Sequence, residues 1–567
     1  MAASETQQER CAIGITIGNS NSSIAHTGPE GKAEAIANEE GDRHIPSILS
    51  YVDGEEYHGT QAKAQLIRNP TNTVAYFRDF LGKDFKSIDV TNCHASAHPQ
   101  EKDATIAFNI RDTVKEQRND ISISEVMTRH LRRLRQSASD FLGKEVNAAV
   151  ITVPTNFSEE QTAALSAAAK EAGIDVLQFI SEPVAALLAY DSKLDSQVTD
   201  KIVVVGDFGG TRSDVAVIAA RGGMYTVLAT AHDYELGGAQ LDQILIDHFA
   251  KEFIKKHKTD PRENARSLAK LKMEAEATKK ALSIGTNAAF SVESLVDGID
   301  YRSNINRTRY ELLAGKTFSA FTSLLEEAVK KAGLDILDVN EVICSGGSSH
   351  TPKVARLVQS LFSEAAVHAP ATNPAAINPS DVTARGAAIQ ASLIEEFDKE
   401  DIEQSAHPMV TVTPHLSHAV GVELVAEGSE AIFKQLLAAE TALPARRSAQ
   451  YTVKEAGDVI IRVSEGKSEI KVTKPEPKEK EAKPEEGEDD EDSDFDSDED
   501  EEEEIREVVW KSTKPLAELA VRGVKANAKV EVMVSINEHL AMQITAREVG
   551  SKTGVRGAVE GVKEGSA

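Results

Sequence analysis

Two short stretches of the same design, 13–24 (IGITIGNSNSSI) and 202–218 (IVVVGDFGGTRSDVAVI), constrain this chain most. Each reads as an apolar strand, a tight glycine turn and a returning strand. That shape points successive backbone N–H groups into one concavity, which suits phosphate oxygens without needing positive side chains. Gly18, Gly209 and Gly210 supply the turns. A single glycine between β-branched runs is most often an ordinary hairpin. Two of them, followed by a third glycine element at 342–358 (VICSGGSSHTPKVARLV), read as parts of one nucleotide cleft. In the third, a strand leads through Gly346-Gly347 into a helix starting near Thr351 or Pro352. Proline loses no needed donor there, and the glycines allow close backbone approach to a flat ligand such as adenosine.

Between these elements lie an apolar strand at 150–154 (VITVP) and a helical stretch at 158–172, so strand hairpins alternate with helices twice over. The matching segments are NPTNTV from Asn69, ITVPTNFSEEQ from Ile151, SEPVAALLAY from Ser181, LGGAQLD from Leu236 and NPSDVTARGAAIQA from Asn378. Through them, residues 11–396 resemble the ATPase domain of the heat-shock-70 chaperones. The resemblance implies an α/β actin-like, two-lobed fold with ATP in the cleft. It puts Gly18, Asn19, Ser20, Asp207, Gly209, Gly210, Thr211 and Arg212 at the phosphates, together with Gly237 and Gly238. Lys279, Lys280 and Ser283 fall on the family's contacts to ribose and base, and Gly346, Gly347, Ser348 and His350 on its purine platform. His350 stands where the family has a stacking arginine, and Ser380 where it has an aspartate.

Carried over residue by residue, the resemblance also shows departures. The family's first phosphate loop, Asp-Leu-Gly-Thr-Thr, here reads Thr16-Ile17-Gly18-Asn19-Ser20, so a carboxylate that helps hold hydrated magnesium is gone. The lysine that positions the attacking water falls on Arg78, whose rigid fork is a poor replica of an ammonium. Glu182 and Asp207 are retained, and Asp207 is the one remaining candidate to meet a Mg2+ ion. The threonine near the terminal phosphate becomes Arg212. In-line phosphoryl transfer depends on positioning water, metal and charge, so losing these groups cuts turnover more than affinity. The expectation is an ATP-binding chain with no catalytic residue intact and hydrolysis lost or very weak. Arg212 has two readings: a partner for the terminal phosphate, or an arginine pointing into solvent from a degenerate hairpin tip.

At 567 residues the chain is too long for one core. The expected division is a disordered start at 1–10, the nucleotide-binding domain at 11–396, a linker at 397–412, a β-sandwich at 413–549 and a tail at 550–567. Net charge is −28, and 485–504 alone holds 16 acidic residues without a lysine or arginine. With its flank it reads as a disordered acidic insertion at 474–504, unable to bury enough apolar surface to fold. Solubility is its blandest use; Ser493 and Ser497 are candidate phosphorylation sites within it. Cys11, Cys93 and Cys344 lack CxxC spacing and read as incidental thiols in a reducing compartment. The polar start, without a signal core or a stretch of transmembrane length, points to a cytosolic protein with no membrane partner. Arg129, Arg132, Arg133 and Arg135 oppose an apolar helix stripe of Val126, Met127, Leu131 and Leu134, a solvated face or a contact to RNA or a partner.

Val459, Ile461 and Val463 alternate, as do Val530, Val532, Val534 and Ile536, then Leu540, Met542 and Ile544 after an Asn537-Glu538-His539 turn. This fits an antiparallel sandwich, and it is similar to the family's peptide-binding domain. Fewer than 20 residues follow it, so the family's helical lid is expected to be missing. The linker, QSAHPMVTV from Gln404, lacks the family's leucine run.

These departures together resemble the atypical branch of the family, the heat-shock-70 subunit of the fungal ribosome-associated complex. By that resemblance the chain forms a stable heterodimer with a J-protein of the zuotin type at the ribosome. The pair stimulates a separate ribosome-bound heat-shock-70 chaperone acting on nascent chains, and a nascent polypeptide is a further candidate contact. An open sandwich edge accepts an extended segment by strand addition, and the J-protein's N-terminal segment is the expected occupant. Two other readings stay in view: a conventional ATP-hydrolysing chaperone, and a nucleotide-exchange factor of the large heat-shock type.

Overall fold

A computed structural model describes residues 10–90, 96–102, 105–113, 118–192, 199–398, 400–402, 416, 418–425, 433–439, 441, 443–454, 456–473, 505–537, 539–551 and 554–560. The chain divides into two compact units, 1–412 and 413–567. The acidic insertion at 474–504, the linker sequence from Gln404 to Val412 and Cys93 lie outside the described residues.

The first unit repeats one sheet plan. In its first lobe the strand order is Asp175–Ser181, Ala148–Val153, Ala12–Ile17, Asn21–Thr27, Ala33–Ile36. Ala12–Ile17 pairs antiparallel with the strand it turns into, with Ile15 opposite Ile24, and parallel with Ala148–Val153. In the second lobe Lys201–Phe208 pairs antiparallel with Ser213–Arg221, Gly206 opposite Val215, and parallel with Glu341–Ser345. Parallel central strands are buried on both faces, which is why they read as nearly unbroken apolar runs. Ile13, Ile15, Val74, Phe77, Val126 and Leu131 share the first lobe's core; Val204, Phe208, Phe249, Phe290 and Phe321 share the second's.

Local signals agree with this plan. Ser158 and Gln161 form a capping box that starts the helix Glu159–Glu171. Pro352 opens Pro352–Leu361 at the helix's first turn. The helix Val382–Ile394 is rich in small residues because it seats directly on backbone. A Cβ on Gly386 would overlap the Ala185 carbonyl, and one on Gly14 would overlap Ala384 and Ala388. This helix brings Thr383 to the first hairpin and packs on Glu182–Asp191.

The arginine-bearing helix, Ile123–Leu142, buries Val126, Met127, Leu131 and Leu134 as its spacing predicts. Three of its four arginines are paired with acids, while Arg132 is exposed and has no carboxylate partner among the described residues. Arg129 pairs with Glu125 at 2.8 Å and with Glu56 and Asp112 at 3.4 Å. Arg133 pairs with Glu39 at 2.8 Å, and Arg135 with Glu145 at 2.7 Å.

The second unit holds two four-stranded sheets among the described residues. One runs Phe433–Leu437, Ala419–Val425, Gly457–Thr473, Ile505–Val524; the other runs Ala445–Thr452, Lys529–Ile536, Met542–Glu548, Val555–Val559. Val459, Ile461, Val463, Val530, Val532, Val534, Ile536, Met542 and Ile544 form its core. Two details differ from what the sequence pattern predicts. Leu540 is exposed at a positive φ of 60°, because the turn extends to Ala541, whose carbonyl accepts from Asn537 at 3.0 Å. The second sheet also continues past residue 549, since Val555–Val559 pairs with Met542–Ala546 in place of the expected tail.

Candidate nucleotide cleft

The two hairpin tips meet. Gly18 N–H donates to the Asn21 carbonyl and Gly209 N–H to the Arg212 carbonyl, each at 3.0 Å, closing both turns. Asn19 Nδ2 reaches across to Thr211 Oγ1 at 3.1 Å, and a Cβ on Gly210 would overlap the Ser20 hydroxyl. Among the described residues, the N–H groups of Asn19, Ser20, Gly210 and Thr211 find no backbone acceptor. The Asn19 carbonyl oxygen Oδ1 is likewise buried without a partner. N–H donors left over at the tips of two glycine turns fit a polyphosphate.

The platform next to them is built from the second lobe. Gly346 adopts a φ of 82°, and a Cβ there would overlap Asp207 and the Phe208 carbonyl. Its N–H donates to the Pro379 carbonyl at 2.8 Å. Gly347 faces open space, while Ser348 Oγ donates to the Gly209 carbonyl at 2.8 Å, tying the platform to the second hairpin. Lys279 donates to the Gly238 carbonyl at 2.8 Å and pairs with Asp242 at 2.8 Å. A Cβ on Gly238 would crowd the Lys279 ammonium and the Ser348 hydroxyl, and one on Gly237 the Gly210 backbone. Ser283 Oγ turns back onto the Lys279 carbonyl, and exposed Lys280 pairs with Glu276. Glu276 also takes Lys63 of the first lobe at 2.7 Å, bridging the lobes. His350 shares a 2.9 Å hydrogen bond with Ser380, so the two family departures on this side satisfy each other.

The expected catalytic positions carry different chemistry. Thr152 donates to Thr16 at 3.0 Å and Thr16 to Thr383 at 3.1 Å, a neutral hydroxyl chain where the family has a carboxylate. Arg78 is 7% exposed. It holds Asp79 at 2.8 Å, Glu182 at 3.4 Å and the Ile17 carbonyl at 3.3 Å. Against the cost of burial, Asp79 and Glu182 keep Arg78 firmly charged. Burial pushes Glu182 well above the carboxylate range despite Arg78, and Asp207 and Asp214 add repulsion; burial and Asp214 raise Asp207 in the same way.

Arg212 does not point into solvent; it is 8% exposed. Its Nε donates to Asp214 Oδ2 at 2.7 Å, and Nη2 bonds both Asp214 Oδ1 and, at 2.9 Å, Asn156 Oδ1 of the first lobe. The guanidinium lies 4.5 Å from the Tyr234 ring centre, and Asn156 in turn bonds the Tyr234 hydroxyl. His232 bonds Asp214 at 2.7 Å, and with Arg212 it depresses the Asp214 carboxyl although burial opposes this. Asn156, Tyr234, His232 and Asp79 do not stand out in the sequence. Asn156 lies within the matching segment from Ile151 without a role read for it, and the other three lie only near motif residues.

Among the described residues, no three His, Cys, Asp or Glu side chains gather as a metal-holding group. Asp207, with the Asp214 and Glu182 carboxylates close enough to interact with it, is the side chain that would meet a Mg2+ ion, whose remaining oxygens would come from water and phosphate. Cys344 is buried behind the platform and Cys11 half-buried; neither is in a disulfide.

The Hsp70 protein family profile matches residues 12–478. The chain is 44% identical over 548 residues to "Ribosome-associated complex subunit SSZ1" of Saccharomyces cerevisiae, covering 96% of this chain and 99% of that protein. It is 43% identical over 564 residues to a heat shock protein 70 homolog of Schizosaccharomyces pombe, covering 98% and 96%. With "Heat shock 70 kDa protein 14" of Danio rerio it shares 34% identity over 457 residues, 79% of this chain and 86% of that protein.

Proposed function

The chain belongs to the heat-shock-70 family, and on that premise we propose that it is an ATP-retaining, non-hydrolysing cochaperone of a ribosome-associated complex. In this reading it forms a stable heterodimer with a zuotin-type J-protein in the cytosol. The pair stimulates a separate ribosome-bound heat-shock-70 chaperone acting on nascent chains.

The observation that carries the loss of turnover is the Arg78 constellation. Its guanidinium is committed to Asp79, Glu182 and the Ile17 carbonyl, so it is not a mobile ammonium able to hold a water molecule. Thr16 contributes no negative charge toward a hydrated metal, and Arg212 is held in place by Asp214 and Asn156 through Nε and Nη2. Retention is supported by the unspent N–H groups of Asn19, Ser20, Gly210 and Thr211, and by the platform of Gly346, Gly347 and Ser348 with Lys279 and Ser283 beside it. Bound ATP would supply a polyanion contacting both hairpins, one from each lobe. Arg212 Nη1 is the guanidinium nitrogen left for a terminal phosphate, since Nε and Nη2 are engaged.

The partnership is supported by similarity along almost the whole length of the S. cerevisiae complex subunit. The second unit is consistent with it physically, since an edge strand that is unpaired among the described residues can take an extended segment as a further strand. Coexpression with the J-protein of the same organism tests this. A one-to-one complex that cosediments with ribosomes is expected, and removing 413–567 is expected to abolish it. A heterodimer that survives the removal refutes docking in the sandwich.

A further inference from the structure

The arginines of Ile123–Leu142 are largely neutralised by carboxylates, whereas a second cation cluster is not. Residues 251–272 hold eight lysines and arginines against three acids, in a chain whose net charge is −28. They span the end of the helix Gly238–His257 and the start of Ala265–Ile284, which pack together.

Of the nearby acids only Glu263, exposed beside Arg266, is left without a side-chain partner among the described residues, one carboxylate against four exposed cations. Arg262 takes Asp260 at 2.7 Å and Asp247 at 2.9 Å. Glu252 accepts from Tyr301 at 2.8 Å and Ser303 at 3.0 Å. Lys251, Lys255, Lys258 and Arg266 are exposed and have no carboxylate partner among the described residues. Lys251 and Lys255, four apart, share one side of the helix end, and Lys258 follows as its left-handed cap. Favourable interaction with the helix dipole accounts for Lys255, Lys256 and His257 in the last turn. It does not account for Lys251, a turn earlier, or for Arg266, which lies in the first turn of the next helix, where a cation is disfavoured.

We propose that this face binds the phosphate backbone of RNA; the choice of RNA rests on the ribosomal reading above. Unpaired cations on two adjacent helices match a polyanion of closely spaced phosphates, and lysines serve it as point charges without base specificity. A lipid surface fits poorly, because interfacial helices need an apolar face. No large apolar side chain is exposed within 251–272, and exposed Ile284 lies about 27 Å along the helix axis from Arg266.

The test measures binding of the purified full chain to a labelled RNA duplex across a salt series. The comparison protein carries Lys251→Glu, Lys255→Glu, Lys258→Glu and Arg266→Glu together. Expected is a loss of about tenfold or more in affinity, with a log–log salt slope shallower by roughly 0.7 to 0.9 for each phosphate no longer neutralised. Arg132→Glu should change neither quantity, and an unchanged melting temperature and ATP content of the fourfold variant separate binding from folding. Equal affinity and slope overturn the proposal, as does a wild-type preference for anionic vesicles or an acidic peptide over the duplex. Ribosome association unaffected by the fourfold change overturns the RNA face while leaving the complex-subunit reading intact. Duplex binding by a chain that never associates with ribosomes does the reverse.

Discussion

On the proposed adenosine side of the cleft the structure offers backbone shape: Gly346 at positive φ, Gly347 open, and Ser348 and Lys279 tying the platform to Gly209 and Gly238. On the phosphate side the glycine turns are equally intact, but the side chains around them are spent on one another, Arg78 on Glu182 and Asp79, Arg212 on Asp214 and Asn156. In the proposed reading, holding a nucleotide and turning it over draw on separable layers. Turns supply N–H donors that survive any side-chain change compatible with the fold, whereas catalysis needs particular side chains free to act.

The largest expected effect comes from breaking the phosphate-side layer. Arg212→Ala leaves half-buried Asp214 with His232 and the more distant charge of Arg78, and losing its guanidinium partner costs up to about 3 kcal/mol. Denaturant unfolding should show that loss, and the double variant with Asp214→Asn should recover much of it. If Arg212→Ala is as stable as the parent, the network carries no net weight.

Gly346→Ala attacks the adenosine side instead. A side chain at a φ of 82° costs about 1 to 3 kcal/mol, and its Cβ also overlaps Asp207 and Phe208. ATP retention measured by nucleotide extraction should fall sharply, with the Arg78 and Arg212 pairs unaffected. Retention equal to the parent would mean the platform does not seat the base.

The smallest effect is a pH dependence. Burial lowers the His350 pKa, with the nearby His44 charge acting in the same direction, and burial also lowers His44. A folded value below the ordinary 6.5 favours the neutral ring. Its stabilisation is therefore present above pH 6.5 and is lost as pH falls through the depressed value. Melting temperature should drop on acidification below 6.5, and less so in His350→Asn; equal slopes would assign the effect elsewhere.

How far the sequence could be read follows from the same two layers. Glycine turns and apolar strands are local, and so the hairpins at 13–24 and 202–218, the capped helix after Ser158 and the Pro352 helix were legible from short windows. That Thr16, Arg78 and Arg212 depart from the family was legible by comparison with its motif. What those residues do instead was not. Asn156 meets Arg212 from a position 56 residues earlier in the chain, and Thr383 meets Thr16 across 367 residues, contacts that only the closed fold creates. The arginines near 132 read as a solvated face or a contact surface, but the sequence could not show that Arg129 and Arg133 are held by Glu39, Glu56 and Asp112, which lie far away in the chain. Leu540 misled because alternation continues through a turn whose length is set by Asn537.

The separation of holding from turnover is tested most directly by single-turnover chemistry. Purified full-length chain is incubated with labelled ATP, quenched in acid, and its retained nucleotide identified by chromatography. The account predicts that the nucleotide recovered is intact ATP, and that Arg78→Lys alone leaves it intact because Thr16 and Arg212 are unchanged. Conversion to ADP by the parent chain at the rate of a cycling chaperone would contradict it, and would return Arg78 or Arg212 to a catalytic role.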